Sequence, residues 1–164
     1  FQSDIKGMIE IIDKAVKRIR KLITELRPEV LDNFGLIPAL EWQVQEFKEK
    51  TGINCSFTKN ISKIDIDKQS AVAVFRIFQE ALTNIVKHAK ARNVEVNLNY
   101  KDSKLTLEIN DDGIGIDDTK KKTSKTFGII GMRERTIILG GSFIIEDTNG
   151  AGTKLVIDIP LNGS

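Results

Sequence analysis

The chain is 164 residues long, 40% hydrophobic and 29% charged, with a formal net charge of +2. Such a composition supports one folded globular domain with a sizeable core. It excludes a disordered tail and a polyanion-coating surface, so nucleic acid is not an expected partner. The single cysteine, Cys55, excludes a disulfide framework, and no apolar run approaches the roughly 18 residues of a spanning helix, so an aqueous, reducing, cytoplasmic setting is expected.

The chain opens at Phe1 without a charged-then-apolar leader, which reads as a piece of a longer protein. Ile5, Ile9, Ile12, Val16, Ile19, Ile23 and Leu26 alternate spacings of four and three, the seam of a heptad helix about 25 residues long. Its narrow stripe suits packing against other helices, with docking on the chain's own sheet as the alternative. Pro28 disfavours helical geometry at Arg27, so that helix should end near Leu26. Asp32, Asn33, Phe34 and Gly35 read as a turn, and Pro38 suits the first turn of a second helix running to about Lys50, stopped by Gly52.

Ile53 to Phe57 predicts a short strand, followed by a polar loop over 58–63. Asp67 is a plausible cap for a long helix ending near Ala91. Val94, Val96, Leu98 and Tyr100 alternate, as do Leu105, Leu107 and Ile109, predicting a hairpin through 101–104. A second hairpin is predicted near 143–145 and 155–159, joined across 148–152 and closed by Pro160. Between the hairpins lie a glycine-containing loop at Gly113, a polar segment over 117–126 with the character of a mobile flap, and a helix from about Gly128 to Leu139 ended by Gly140 and Gly141. The expected architecture is α+β: a two-layer sandwich of about five strands with three helices on one face, preceded by the long heptad helix.

Four short motifs follow one another: Glu80-x3-Asn84-x2-Lys87-His88, Asp111-x-Gly113-x-Gly115, Gly128-x2-Gly131-Met132-Arg133-Glu134-Arg135, and Gly150-x-Gly152-Thr153. At about 100° per residue, Glu80, Asn84, Lys87 and His88 span a third of a helix circumference. That stripe offers a carboxylate, an amide, an ammonium and an imidazole. A carboxamide oxygen suits Mg²⁺ and a lysine suits phosphate, although a solvated helix face is the bland alternative. Asp111 ends an apolar strand and feeds a glycine loop, where backbone can approach a flat ligand and a carboxylate can accept an exocyclic amine; a plain turn is the alternative. Gly128 and Gly131 are expected to open a helix whose free amides would seat a phosphate. Thr153 is either a hairpin residue or a hydroxyl supporting the same pocket. No P-loop, zinc set or nucleophile elbow is present.

Taken together, these motifs resemble the catalytic ATP-binding domain of sensor histidine kinases, a member of the GHKL or Bergerat fold shared with gyrase, HSP90 and MutL. The run from Glu80 to Ala89 is similar to the N box of the nitrate-sensor and DesK-type subfamily, and the run from Gly128 to Arg135 to its G2 box. Leu26-Arg27-Pro28 with Leu31-Asp32 and Gly35-Leu36 resembles the junction after the second dimerisation helix. The resemblance therefore implies that 1–27 belong to the helical dimerisation domain and 28–164 to the catalytic domain.

The resemblance also implies ATP and Mg²⁺ as ligands. Asn84 would hold the metal, and Glu80 would act as the catalytic carboxylate near the metal and the transferred phosphoryl. Lys87 and His88 would contact phosphate, Asp111 the adenine amine, and Thr153 would lie near the base. Gly113, Gly115, Gly128 and Gly131 would shape the loops, with Ile129 and Met132 also at the nucleotide. Phe127 stands where the subfamily often has His. The implied partners are a response-regulator receiver domain and a phosphoacceptor helix of the same or a second subunit, in a homodimeric parent for which an inner-membrane receptor with this domain in the cytosol is one implied form. The family's phosphoacceptor histidine precedes an acidic residue on the first dimerisation helix, whereas His88 lies within the N box. The chain is thus expected to bind ATP without labelling itself. A sigma-factor-regulating serine kinase, a nucleotide-sensing scaffold and an interaction module whose glycines are only turns are the alternatives.

Overall fold

The computed structural model describes residues 29–115 and 124–161, with the side chains of the second segment from 127 onward. The heptad seam over 5–26, the 1–27 domain assignment and the flap over 117–123 lie outside the described residues. In chain order the elements are α1 (Glu29–Phe34), α2 (Leu36–Thr51), β1 (Asn54–Lys59), α3 (Lys68–Asn84) continuing into a π turn (Ile85–Ala89), β2 (Asn93–Lys101), β3 (Lys104–Asp111), α4 (Ser124–Ile138), β4 (Ser142–Asp147) and β5 (Thr153–Pro160).

Local chemistry accounts for most of the boundaries. The expected turn at 32–35 is helical through Phe34, because Leu31 is buried and its carbonyl still accepts the Gly35 amide at 3.2 Å. Only Gly35, at φ 87°, breaks the chain before α2. Gly52 adopts the left-handed conformation and donates to the Lys48 carbonyl at 2.9 Å, ending α2. The Asp67 side chain caps α3 by accepting the Ser70 amide at 2.9 Å.

Two boundaries depart from expectation. β1 runs on to Lys59 because β2 pairs with it in parallel from Asn54↔Asn93 to Lys59↔Leu98, while Thr58 bonds Asn97 and Lys59 pairs with Glu41. Tertiary pairing overrides the polar character of the last two residues. Helix α4 begins at Ser124, so Gly128 sits inside the helix and does not open it.

The five strands form one sheet in the order β1-β2-β3-β5-β4. β1 and β2 are parallel, connected through α3, and the other pairs are antiparallel. The β2–β3 hairpin turns on Asp102 and Ser103, both at positive φ, the handedness that matches strand twist. Side chains alternate across the sheet. Val94, Val96, Leu98, Leu105, Leu107, Ile109, Leu155, Ile157 and Ile159 are buried, and Phe75, Phe78 and Leu82 of α3 belong to the same core cluster. On the other face stand polar ladders such as Thr106–Asp158 at 2.5 Å and Lys154–Glu108 at 3.2 Å. Arg133 of α4 lies over the Phe143 ring at 5.1 Å, tying that helix to β4.

Hydrogen bonds from the Ser70 side chain and amide hold the Asp67 carboxyl below its ordinary value of 3.8. A depressed carboxyl stabilises the fold above 3.8, and the contribution disappears as pH falls through the lowered value. Asp67→Ala should therefore lower the melting temperature at neutral pH, and thermal scans down a pH series should show the gap from the unaltered chain closing below pH 3.8.

Candidate functional site

The C-terminal end of β3, the start of β5 and the end of β4 lie side by side, with Asp111 opposite Thr153 and Thr153 opposite Asp147. Over this end of the sheet pass the last turn of α3, the π turn and α4. They line a hollow that is open to solvent on one side. Helical Ala81, Asn84, Ile85 and Ala89 form one wall, and Ile129 and Met132 of α4 another. The floor is Ile109, Ile145 and Leu155 with Asp111 and Thr153. An apolar slot carrying one amide, one carboxylate and one hydroxyl has the character of a small-molecule site. Flat apolar walls suit a heteroaromatic ring, and the polar groups fix its orientation.

The loop that ends β3 is fastened on both sides. The Gly113 amide donates to Asp111 Oδ1 at 2.9 Å, and the Ile114 amide donates to the Ala89 carbonyl at 2.8 Å. A Cβ at Gly113 would stand within 3.0 Å of that same carbonyl oxygen, so glycine is required by close approach of backbone. Asp112 accepts the amides of Arg92 and Asn93 at 2.7 and 2.8 Å and the Asn93 side chain at 2.7 Å. These bonds, the Asn93 amide foremost, hold the Asp112 carboxyl below its usual value.

Of the residues singled out from sequence, Asn84, Asp111, Ile129, Met132 and Thr153 line the hollow together. Glu80 lies one helical turn before Asn84, its carboxylate against Gly128 and next to the Asn84 amide, so that a Cβ on Gly128 would displace it. Lys87 is exposed and His88 is half-buried with its Nε2 shielded from solvent, and neither lines the hollow. The π turn widens the winding after Asn84, so the four-residue stripe expected of a regular helix does not continue past it. Gly115, at φ 76°, is tucked against the Asp147 carboxylate, and Gly131 lies alongside the Arg135 guanidinium. Because α4 starts at Ser124, the amides of Gly128 and Gly131 are not its free N-terminal amides, as an opening at Gly128 required.

Sequence reasoning passed over Ala81, Ile85, Ile145 and Asp112. Ile145 was discoverable as the inward member of an alternating strand, whereas Asp112 carried no signal beyond its place in a turn. Among the described residues no group of three or more His, Cys, Asp or Glu could hold a metal ion. Burial pushes the Cys55 thiol up to about 11, so it stays protonated at neutral pH and is no nucleophile.

The sequence profile described as histidine kinase-, DNA gyrase B- and HSP90-like ATPase matches residues 69–163. This chain belongs to that ATPase family. The signal transduction histidine-protein kinase/phosphatase DegS of Brevibacillus brevis is 38% identical over 159 residues, covering 96% of this chain and 41% of that protein. The oxygen sensor histidine kinase NreB of Staphylococcus carnosus is 30% identical over 151 residues, covering 92% and 44%. The chain thus spans less than half the length of these curated relatives. The blue-light activated histidine kinase of Erythrobacter litoralis superposes with a TM-score of 0.69 at 20% identity, over 93% of this chain and 50% of that one. Histidine kinase AdeS of Acinetobacter baumannii gives 0.63 at 16% identity, over 99% and 93%. Both structures share the fold, which is the expected two-layer GHKL architecture, and a nucleotide is the ligand an ATPase domain of this family takes. No helix among the described residues is long and apolar enough to cross a membrane.

The fit of Gly113 against Ala89 is a direct handle on the domain's site. Gly113→Ala should force the loop away from the π turn and weaken adenine-nucleotide binding by at least about tenfold, a loss of roughly 1.4 kcal/mol, when titrated by calorimetry. An affinity within about twofold of the unaltered chain would detach that contact from ligand binding.

Proposed function

We propose that this chain is the catalytic part of a two-component sensor histidine kinase, transferring the γ-phosphoryl of ATP to a histidine on a separate phosphoacceptor helix. On this reading, 28–164 form the catalytic domain and 1–27, on their heptad pattern, belong with the dimerisation helices of a homodimeric, cytosolic-facing assembly. The observation that carries the reading is the convergence of Asn84, Asp111 and Thr153 on one apolar slot. The likeness to DegS and NreB over nearly the whole chain favours a histidine kinase over a sigma-factor serine kinase or a silent nucleotide sensor.

Asp111 accepts the exocyclic amine of adenine, Thr153 supports the base, and Ile109, Ile145 and Met132 sandwich the ring. The triphosphate then runs along the helical wall toward Asn84 and Glu80. Asn84 Oδ1 would hold a Mg²⁺ that arrives on the phosphates with much of its water shell. When bound, the metal neutralises charge on the phosphate oxygens. Glu80, beside Asn84, would orient a water near the metal or relay a proton, while Lys87 and His88, outside the hollow, would meet phosphate beyond its mouth. A neutral imidazole nitrogen attacks the γ-phosphorus, the bond to the β,γ-bridging oxygen breaks, and ADP leaves with that electron pair. The chain's contribution is placement and electrostatics. An aspartate of a response-regulator receiver domain then takes the group from the phosphohistidine.

Asp111→Asn replaces a charged acceptor and should cost about 1.5–3 kcal/mol, roughly tenfold to a hundredfold in ATP affinity by calorimetry. Asn84→Ala should weaken binding in Mg²⁺ while leaving metal-free nucleotide binding nearly intact. With γ-labelled ATP alone the chain should carry no label, and with an added phosphoacceptor-histidine domain that domain should become labelled through an acid-labile bond. Acid-stable label would transfer the assignment to the serine kinases.

A further inference from the structure

The second aspartate of the glycine loop does not line the slot, yet its carboxylate accepts three hydrogen bonds. One oxygen of Asp112 takes two successive backbone amides, of Arg92 and Asn93, and the other takes the Asn93 side chain. Asn93 in turn accepts from the Asn54 side chain at 3.1 Å, and the Asp112 amide itself donates to the Asn93 carbonyl at 3.2 Å. A polar relay therefore runs from the edge strand β1, through the first residue of β2, into the loop. The next two residues are Gly113 and Ile114, held to Ala89 at the end of the helix that carries Asn84. The residue before is Asp111. Without this anchor, a loop with glycines at 113 and 115 would keep only its bonds to Ala89 and Asp111, and more of its ordering would fall to the ligand.

We propose that Asp112 is a positioning residue for the nucleotide: it clamps the 112–115 loop to the start of β2, and through the Gly113 amide that loop orients the Asp111 carboxylate at the end of β3 relative to Asn84. The inference rests on the nucleotide reading of the slot. Asp112 is exposed, so its bonds compete with water and contribute modestly to global stability. Their effect falls on the loop they order. The clamp also opposes simple electrostatics. Removing a negative charge beside a site for a polyanion should tighten binding, whereas removing the clamp should weaken it.

Two variants separate these terms. Asp112→Ala deletes all the accepting atoms and should raise the Kd for ADP by roughly three- to tenfold at unchanged stoichiometry, the factor expected for one or two net hydrogen bonds. Asp112→Asn keeps an oxygen for both backbone amides, and the exposed Asn93 and Asn54 amides can reverse to close the relay. Its Kd should match the unaltered chain within about twofold or be tighter. Amide exchange should be faster at Ile114 in Asp112→Ala and unchanged in Asp112→Asn. If Asp112→Ala does not fold, Asn93→Ala removes the side-chain half of the clamp and should raise the Kd in the same direction by a smaller factor. An unchanged Kd in the alanine variants, with only the melting temperature or the bound fraction reduced, overturns the proposal. So does an asparagine variant as weak as the alanine one. Failure of the unaltered chain to bind ADP at all would instead overturn the nucleotide reading itself.

Discussion

The Ala89 carbonyl is the point on which the site depends. It belongs to the last residue of the π turn and receives the Ile114 amide at 2.8 Å while Gly113 packs against it. That contact joins two elements that border the hollow, the helix bearing Asn84 and the loop that follows Asp111. Helix α3 is itself fixed over the sheet by fully buried Val74, Phe75, Ile77 and Phe78. The core thus transmits its rigidity to the site through one backbone hydrogen bond and one glycine.

The division of labour within the slot follows from the chemistry of its lining. Its apolar residues belong to the same cluster that stabilises the fold, so ring binding there extends the core outward and gains from burial. The polar groups are few and stand at separate ends. On the proposed reading such a site would discriminate by hydrogen bonding at Asp111 and Thr153 and would leave charge neutralisation to the helix wall and to the metal that accompanies the phosphates. On the proposed reading the domain itself need supply no covalent chemistry, and its buried Cys55 stays protonated at neutral pH.

Much of this was legible in the residues themselves. Alternation of two gave both hairpins, Gly52 and Asp67 marked helix ends by their own chemistry, and Asp111 with Thr153 could be placed at one end of the sheet from strand positions alone. The rest depended on long-range partners. β1 outlasts its apolar residues because β2 offers it a ladder, and α4 starts before its glycines because a glycine can occupy a helix interior as well as open it. The π turn has no compositional mark, since nothing in the run from Ile85 to Ala89 distinguishes it from a continuing α-helix. Asp112 was hidden for a related reason: a turn sequence reports the turn, and its partners Arg92 and Asn93 lie 20 and 19 residues away.

The central claim is that one hollow holds a purine at Asp111 and magnesium-bound phosphates at Asn84. A crystal structure with a nonhydrolysable ATP analogue and Mg²⁺ tests it most directly. The account predicts the adenine amine about 2.7–3.2 Å from an Asp111 carboxylate oxygen and the metal about 2.0–2.1 Å from Asn84 Oδ1. A nucleotide bound elsewhere with this hollow empty, or seated in reverse with its phosphates against Asp111, would contradict it.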